Sequence, residues 1–177
     1  MVSKKETHDI RETIKKMILD TDRTIENVQI QEGKWIVQVK QGPLILYVIH
    51  PEGQPFMGIV FPGILEKEVG EALTAVFNDP KSGKQNLFGL KAIINNPLCE
   101  YRIHEKDGIF MGYEISTKIF PFEERFSIAQ LDAAFRTVVS IGVLGVDYMR
   151  ALGGVLKVNQ KAVDNPPTSS SNEGMYG

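Results

Sequence analysis

SIAQLDAAFRTVVSIGVLGVDYMRALG, residues 127–153, is the stretch from which the rest of the chain is read. On a 3.6-residue period Leu131, Phe135, Val138, Gly142, Val146 and Met149 share one face, as in a helix lying on its own sheet. A second apolar stripe, Ala133, Thr137, Ile141, Leu144 and Tyr148, runs along the flank. Asp132, Arg136, Asp147 and Arg150 are confined to the strip that remains. A helix apolar over most of its girth needs cover on more than one side, from the same chain or from a partner. Ser127 at the N-cap with Gln130 three positions on forms a capping box. Gly153-Gly154 provides the stop.

Immediately upstream lies a hairpin. Leu98 to Glu105 and Ile109 to Phe120 flank Lys106-Asp107-Gly108, and Asp-Gly is a strong short-range hairpin signal. In the second arm Ile109, Met111, Tyr113, Ile115 and Ile119 are expected on one side, with Glu114, Ser116 and Lys118 on the other. Cys99, Tyr101 and Ile103 supply the matching inner face of the first arm. Before it, Leu65 to Asn78 reads as a helix with acidic residues in its opening turns, where the macrodipole favours them. Gln85 to Ile94 fits either a short helix or a strand, and Asn95-Asn96-Pro97 favours the helix.

The N-terminal half supplies an amphipathic helix, Lys5 to Asp20, with Ile10, Ile14, Met17 and Ile18 at helical spacing. Four strand-like runs follow: Ile25 to Gln31, Trp35 to Lys40, Leu44 to Ile49 and Phe56 to Phe61, separated by Gly- and Pro-containing turns. Leu44 to Ile49 is apolar on both faces, which places it in the sheet interior. Segregated helices and strands define an α+β fold: one antiparallel sheet, meander plus hairpin, packed against N-terminal, middle and long C-terminal helices. Residues 1–154 are expected to form that single domain. Residues 155–177, polar and rich in Pro and Ser, are expected to be a disordered C-terminal tail.

Composition narrows the function. The chain has 177 residues, 42% hydrophobic and 24% charged, with net charge −2, an ordinary globular balance. No basic stripe marks a nucleic-acid binder, since Lys4-Lys5 and Lys15-Lys16 lie among Glu6, Asp9, Glu12 and Asp20. One cysteine, Cys99, leaves no internal disulfide and no Cys-based zinc cluster. The first residues have no signal-peptide core. The uncharged part of the final helix, Thr137 to Val146, falls well short of the roughly 20 residues that span a bilayer. The expectation is a cytoplasmic protein with no membrane segment.

The order of elements resembles the type III secretion chaperone-like superfamily, which also holds the bacterial sensory-transduction regulator family and prokaryotic families of unknown function. The likeness covers roughly residues 5 to 153. Trp35 through Ile49 to Phe61 is similar to the central meander of those proteins, and Ser127 to Gly153 to their closing helix. It lies in element order, with no residue motif to carry over, and this chain has four strands before the middle helix where the chaperones have three. The resemblance implies a small, cytosolic, non-enzymatic and often dimeric protein, the chaperone members binding extended segments of other proteins.

No catalytic or ligand-binding signature stands out. His8, His50 and His104 lack metal-ligand spacing. Cys99, entering an alternating strand, reads as a small buried hydrophobe rather than a nucleophile. Asp79 to Lys84 ends in Gly-Lys but lacks the first Gly and the hydroxyl residue of a phosphate loop. Gly142-x-x-Gly145 marks a close helix approach, to the chain's own sheet or to another molecule. Pro55-Phe56-Met57 and Phe120-Pro121-Phe122 read as core edges at strand ends or as the lining of a peptide groove.

The leading expectation is a non-enzymatic, chaperone- or adaptor-like protein-binding domain without cofactor or metal. It would form a homodimer through Ala133, Thr137, Ile141, Leu144 and Tyr148, or hold an extended segment of a partner polypeptide on the same flank or on a free sheet edge. The alternative is a small-molecule sensor or carrier with an apolar pocket between sheet and helices, favoured by small residues at Gly58, Gly63 and Gly89. An enzyme using His50, His104 or Cys99 would require those three to converge.

Overall fold

Short apolar or alternating runs between turn residues in the first half of the chain build four consecutive antiparallel strands in a computed structural model that describes residues 4–153. Helix α1 (Lys4–Leu19) leads into β1 (Thr24–Gln31), β2 (Lys34–Gln41), β3 (Leu44–Pro51) and β4 (Met57–Ile64). Helices α2 (Lys67–Phe77) and α3 (Gly83–Ile94) follow, then the hairpin β5 (Glu100–Lys106) and β6 (Ile109–Ile119), and the long α4 (Ile128–Gly153). Residues 83–94 are therefore helical, the alternative that Asn95-Asn96-Pro97 favoured. The six strands form one sheet in the order β1-β2-β3-β4-β6-β5, every pair antiparallel. This is the α+β architecture expected from the sequence. Because β6 docks against β4, β1 and β5 are the two edges. The tail expected over 155–177 lies outside the described residues.

Cross-strand pairs assign the faces. Trp35, Val37 and Val39 share one face with Leu46 and Val48 through their β2–β3 partners. Phe61 joins Ile115, and Gly63 joins Tyr113, on that face. All four helices lie there: Ile14 and Ile18 from α1, Leu73 from α2, Leu90 and Ile94 from α3, and Phe135 and Val138 from α4 enter the same core. On the opposite face Ile36, Tyr47, Ile49 and Val60 form a second, smaller buried cluster. The interior position inferred for β3 is thus correct, with both of its faces buried. Among the described residues α4 alone is long and apolar enough to cross a membrane. Its apolar face, from Leu131 to Met149, lies against the sheet and helices.

The glycines of α4 set how closely it lies. A Cβ on Gly142 would sit 2.5 Å from the Phe61 ring, and one on Gly145 would sit 2.5 Å from Tyr113 Oη. Tyr113 Oη donates to the Gly142 carbonyl, which satisfies a hydroxyl buried in apolar surroundings. The Gly-x-x-Gly spacing is thus an approach of the helix to its own sheet. The capping box forms as read: Ser127 N–H donates to Gln130 Oε1 at 2.8 Å, and Gln130 N–H to Ser127 Oγ at 3.4 Å.

One expected register is corrected. Strand alternation put Ile109 and Met111 on the inner face of β6, but Phe110 occupies the core there and Met111 does not. The β5–β6 pairing shifts between His104 and Glu105, whose partners are Gly112 and Phe110, so Met111 is the extra residue of a bulge. Gly112 takes φ +119° beside the Gly63 carbonyl, a conformation and a closeness that exclude a side chain.

Arg23, in the turn after α1, fixes the opposite end of α4. It is 5% exposed; Nη1 donates to Asp132 Oδ1 at 2.7 Å and Nε to Gln41 Oε1 at 2.8 Å. Its guanidinium lies over the Phe135 ring, 4.5 Å from the centroid. Arg136 closes on the other oxygen of Asp132 at 2.6 Å. The Arg23 hydrogen bond, foremost, holds the Asp132 carboxyl below its usual range.

Candidate functional site

The groups with chemical potential do not meet. His50 lies at the end of β3 on the helix face, where Nδ1 accepts from Arg11 Nε at 3.1 Å and Nε2 donates to the Gln54 carbonyl at 2.9 Å. Both ring nitrogens are thereby used in a neutral tautomer. Burial lowers its pKa, with the Arg11 charge acting in the same direction. His104 is on β5, paired across from Gly112. Its Nε2 is 3.7 Å from Glu114 Oε2, beyond hydrogen-bond range, and neither atom has a hydrogen-bond partner among the described residues. Strands β4 and β6 stand between β3 and β5, a separation of about 14 Å at ordinary strand spacing. Cys99 is half-buried, and burial pushes its thiol up to about 11, far from the thiolate a nucleophile needs. His8 is exposed on α1. No group of three or more His, Cys, Asp or Glu suited to a metal occurs among the described residues.

The Gly-Lys segment is a helix-to-helix turn. Asp79 Oδ1 accepts from the backbone N–H of Lys81 and Ser82 and from Ser82 Oγ, and these bonds hold its carboxyl low. The small residues suggested for a pocket are filled in two of three cases. Tyr113 lies 3.0 Å from a Cβ built on Gly63, and the Tyr148 hydroxyl abuts Gly89. Met57 and Pro121 are buried, Phe122 packs on the His50 ring at 5.6 Å, and Phe56 lies under the Lys118 ammonium at 5.4 Å. These aromatics are core edges; only Phe120 is substantially exposed.

The α4 flank divides. Ile141, expected on the outer stripe, is a core residue. Tyr148 is half-buried against α3, its hydroxyl donating to the Asn86 carbonyl at 3.1 Å. Ala133 is exposed and Thr137 partly so, its hydroxyl turned back to the Ala133 carbonyl. Leu144 is 58% exposed. Beside Gly89, the point at which α3 receives Tyr148, Phe88 is 72% exposed. Phe88, next to Gly89 on α3, and Leu144, one turn before Tyr148 on α4, are thus exposed apolar side chains on the two helices that meet at Tyr148. Phe88 was missed in the sequence because its segment had no single period.

A second unsatisfied feature is the β1 edge. Val28 and Ile30 pair with Val37 and Trp35, both buried, yet are themselves 41% and 75% exposed. The inner apolar row runs to the edge of the sheet and stops without cover.

No family model matches the chain, and no curated protein matches it. Its fold is similar to the crystal structure of an uncharacterized protein from Methanothermobacter thermautotrophicus, with TM-score 0.65 at 14% identity. The similarity covers 82% of this chain and 99% of that one. The likeness is one of fold.

Proposed function

We propose that this chain is a non-enzymatic polypeptide-binding domain of chaperone or adaptor type, acting in the cytoplasm. Its docking strip is the outward side of the α3–α4 pair: Phe88 and Leu144, bordered by Ala133 and Thr137. The observation that carries this reading is the exposure of those two large apolar side chains on the two helices that meet at Tyr148. Burying both would contribute up to about 3–6 kcal/mol toward the roughly 4–15 kcal/mol that association costs, the surrounding contacts supplying the rest. Self-association through this strip has less to draw on than the sequence promised, because Ile141 is in the core and Tyr148 is committed to α3. A different protein is therefore the favoured occupant.

The test is affinity capture from native extract with the wild-type chain and with Leu144→Asp/Phe88→Asp. Both positions are exposed, so the variant is expected to keep its thermal midpoint. A discrete set of captured proteins lost in the variant is the expected result. The same set captured by both would remove the strip from the account.

A further inference from the structure

We propose that two copies of this chain join through β1, edge to edge and antiparallel, so that one sheet runs through both. This goes beyond the partner strip on α3–α4 and does not depend on it. Among the described residues the ladder groups on the outer side of β1 have no strand beside them, since β1 pairs with β2 alone. Such edges are normally guarded by charge or by a bulge, and the bulge of β1 lies at its start, before Asn27. The opposite edge, β5, is guarded by charge at Glu100, Arg102, Glu105 and Lys106. Strand β1 has one charged residue, Glu26, set in the irregularity between Ile25 and Asn27 and facing Lys40 at 3.9 Å. From Asn27 to Gln31 the strand carries no charge, and its helix-side residues are the exposed Val28 and Ile30.

The strand is complementary to itself. A two-fold axis at Gln29 sets Ile30 opposite the partner's Val28, and Gln31 opposite the partner's Asn27. The first pairing, made twice, covers the end of the inner apolar row in both copies with four aliphatic side chains. The second places neutral amides together on the other face, so no like charges meet between Asn27 and Gln31; Glu32, in the turn beyond the strand, comes level with the partner's Glu26, whose carboxylate has Lys40 3.9 Å away. The operation is a closed isologous two-fold and so ends at a dimer. A second copy is thus the occupant whose pattern fits over the five uncharged positions Asn27 to Gln31.

Sedimentation equilibrium of the full chain across a wide concentration range tests this. A dimer is expected, weakened roughly a hundredfold by Val28→Lys/Ile30→Lys, which sets lysines facing one another, and unchanged by Leu144→Asp. A monomer at every concentration, or a dimer indifferent to the two lysines, overturns the proposal. The latter result together with sensitivity to Leu144→Asp would move self-association to the helices. A second measurement does not rely on the lysine variant folding. Antiparallel partners at the axis have Cα atoms about 4.5–5.5 Å apart, within disulfide reach. Gln29→Cys in a Cys99→Ser background should therefore give a covalent dimer under mild oxidation. Cross-linking no faster than that of Glu71→Cys in the same background would contradict the pairing.

Discussion

Asp132→Ala is expected to destabilise the chain by about 3 kcal/mol, because it leaves the Arg23 guanidinium buried without its counter-charge. Removing one partner of a buried ion pair costs about 3–5 kcal/mol. The low end applies because Asp132 keeps 27% of its side chain in solvent, and Gln41 still accepts from Arg23 Nε. Urea denaturation at neutral pH should show the loss, and a cost under about 1 kcal/mol would mean that water reaches Arg23. The pair also has a pH signature. Arg23 depresses the Asp132 pKa in the folded chain. The stabilisation is therefore complete above the unfolded value of about 3.9, and is lost as pH falls through the lower folded value. Asp132→Asn should flatten that acid limb. Asp79 and Glu12 are also depressed, but they are exposed and common to both proteins, so the difference between the two curves isolates Asp132.

The second large effect lies where α4 meets the sheet. Gly145→Ala places a methyl 2.5 Å from Tyr113 Oη and 3.0 Å from Ile94 Cγ2. Both residues are fully buried and have no room to retreat. Overpacking of this kind costs about 1–3 kcal/mol. Displacing the Tyr113 hydroxyl from the Gly142 carbonyl adds about 1–3 kcal/mol, against a gain of about 1 kcal/mol in helix propensity. The net expectation is a loss of about 3 kcal/mol, lowering Tm by about 9 °C. Tyr113→Phe removes the clashing oxygen and should recover part of that loss in the double variant, a coupling that a double-mutant cycle reads directly. A Gly145→Ala protein as stable as the parent would show that propensity, not the close approach, governs the position.

These two sites differ in how far the sequence disclosed them. The Ser127–Gln130 box and the inner face of α4 follow from capping chemistry and helical period, and each lies where it was read; the Gly142-x-x-Gly145 spacing announced a close approach, which in the structure is to the chain's own sheet. The meander is legible because Gly- and Pro-containing turns separate its four short runs, alternating in β2 and apolar on both faces in β3. Arg23 gave no signal, because one charged residue in a turn looks like any solvated arginine until Asp132 and Gln41 close on it from distant parts of the chain. Met111 was misassigned because a bulge adds one residue and reverses parity, and Gly112 reveals it only through its φ. The α4 flank was half legible. Periodicity found the stripe, but the capture of Ile141 by the core and of Tyr148 by α3 depends on where α3 packs, which no period within α4 encodes. Val28 and Ile30 were readable as strand residues, but their exposure follows from β1 being an edge, a property of topology.

The claim that this scaffold acts by docking protein on its outer helices is tested most directly at Leu144. A photo-crosslinking amino acid placed there, in the full chain within its native extract, should yield discrete protein adducts on irradiation, while the same group at exposed Glu71 on α2 should yield none. Equal or absent adduct formation at the two positions would contradict the account, because Leu144 would then be apolar surface that nothing occupies.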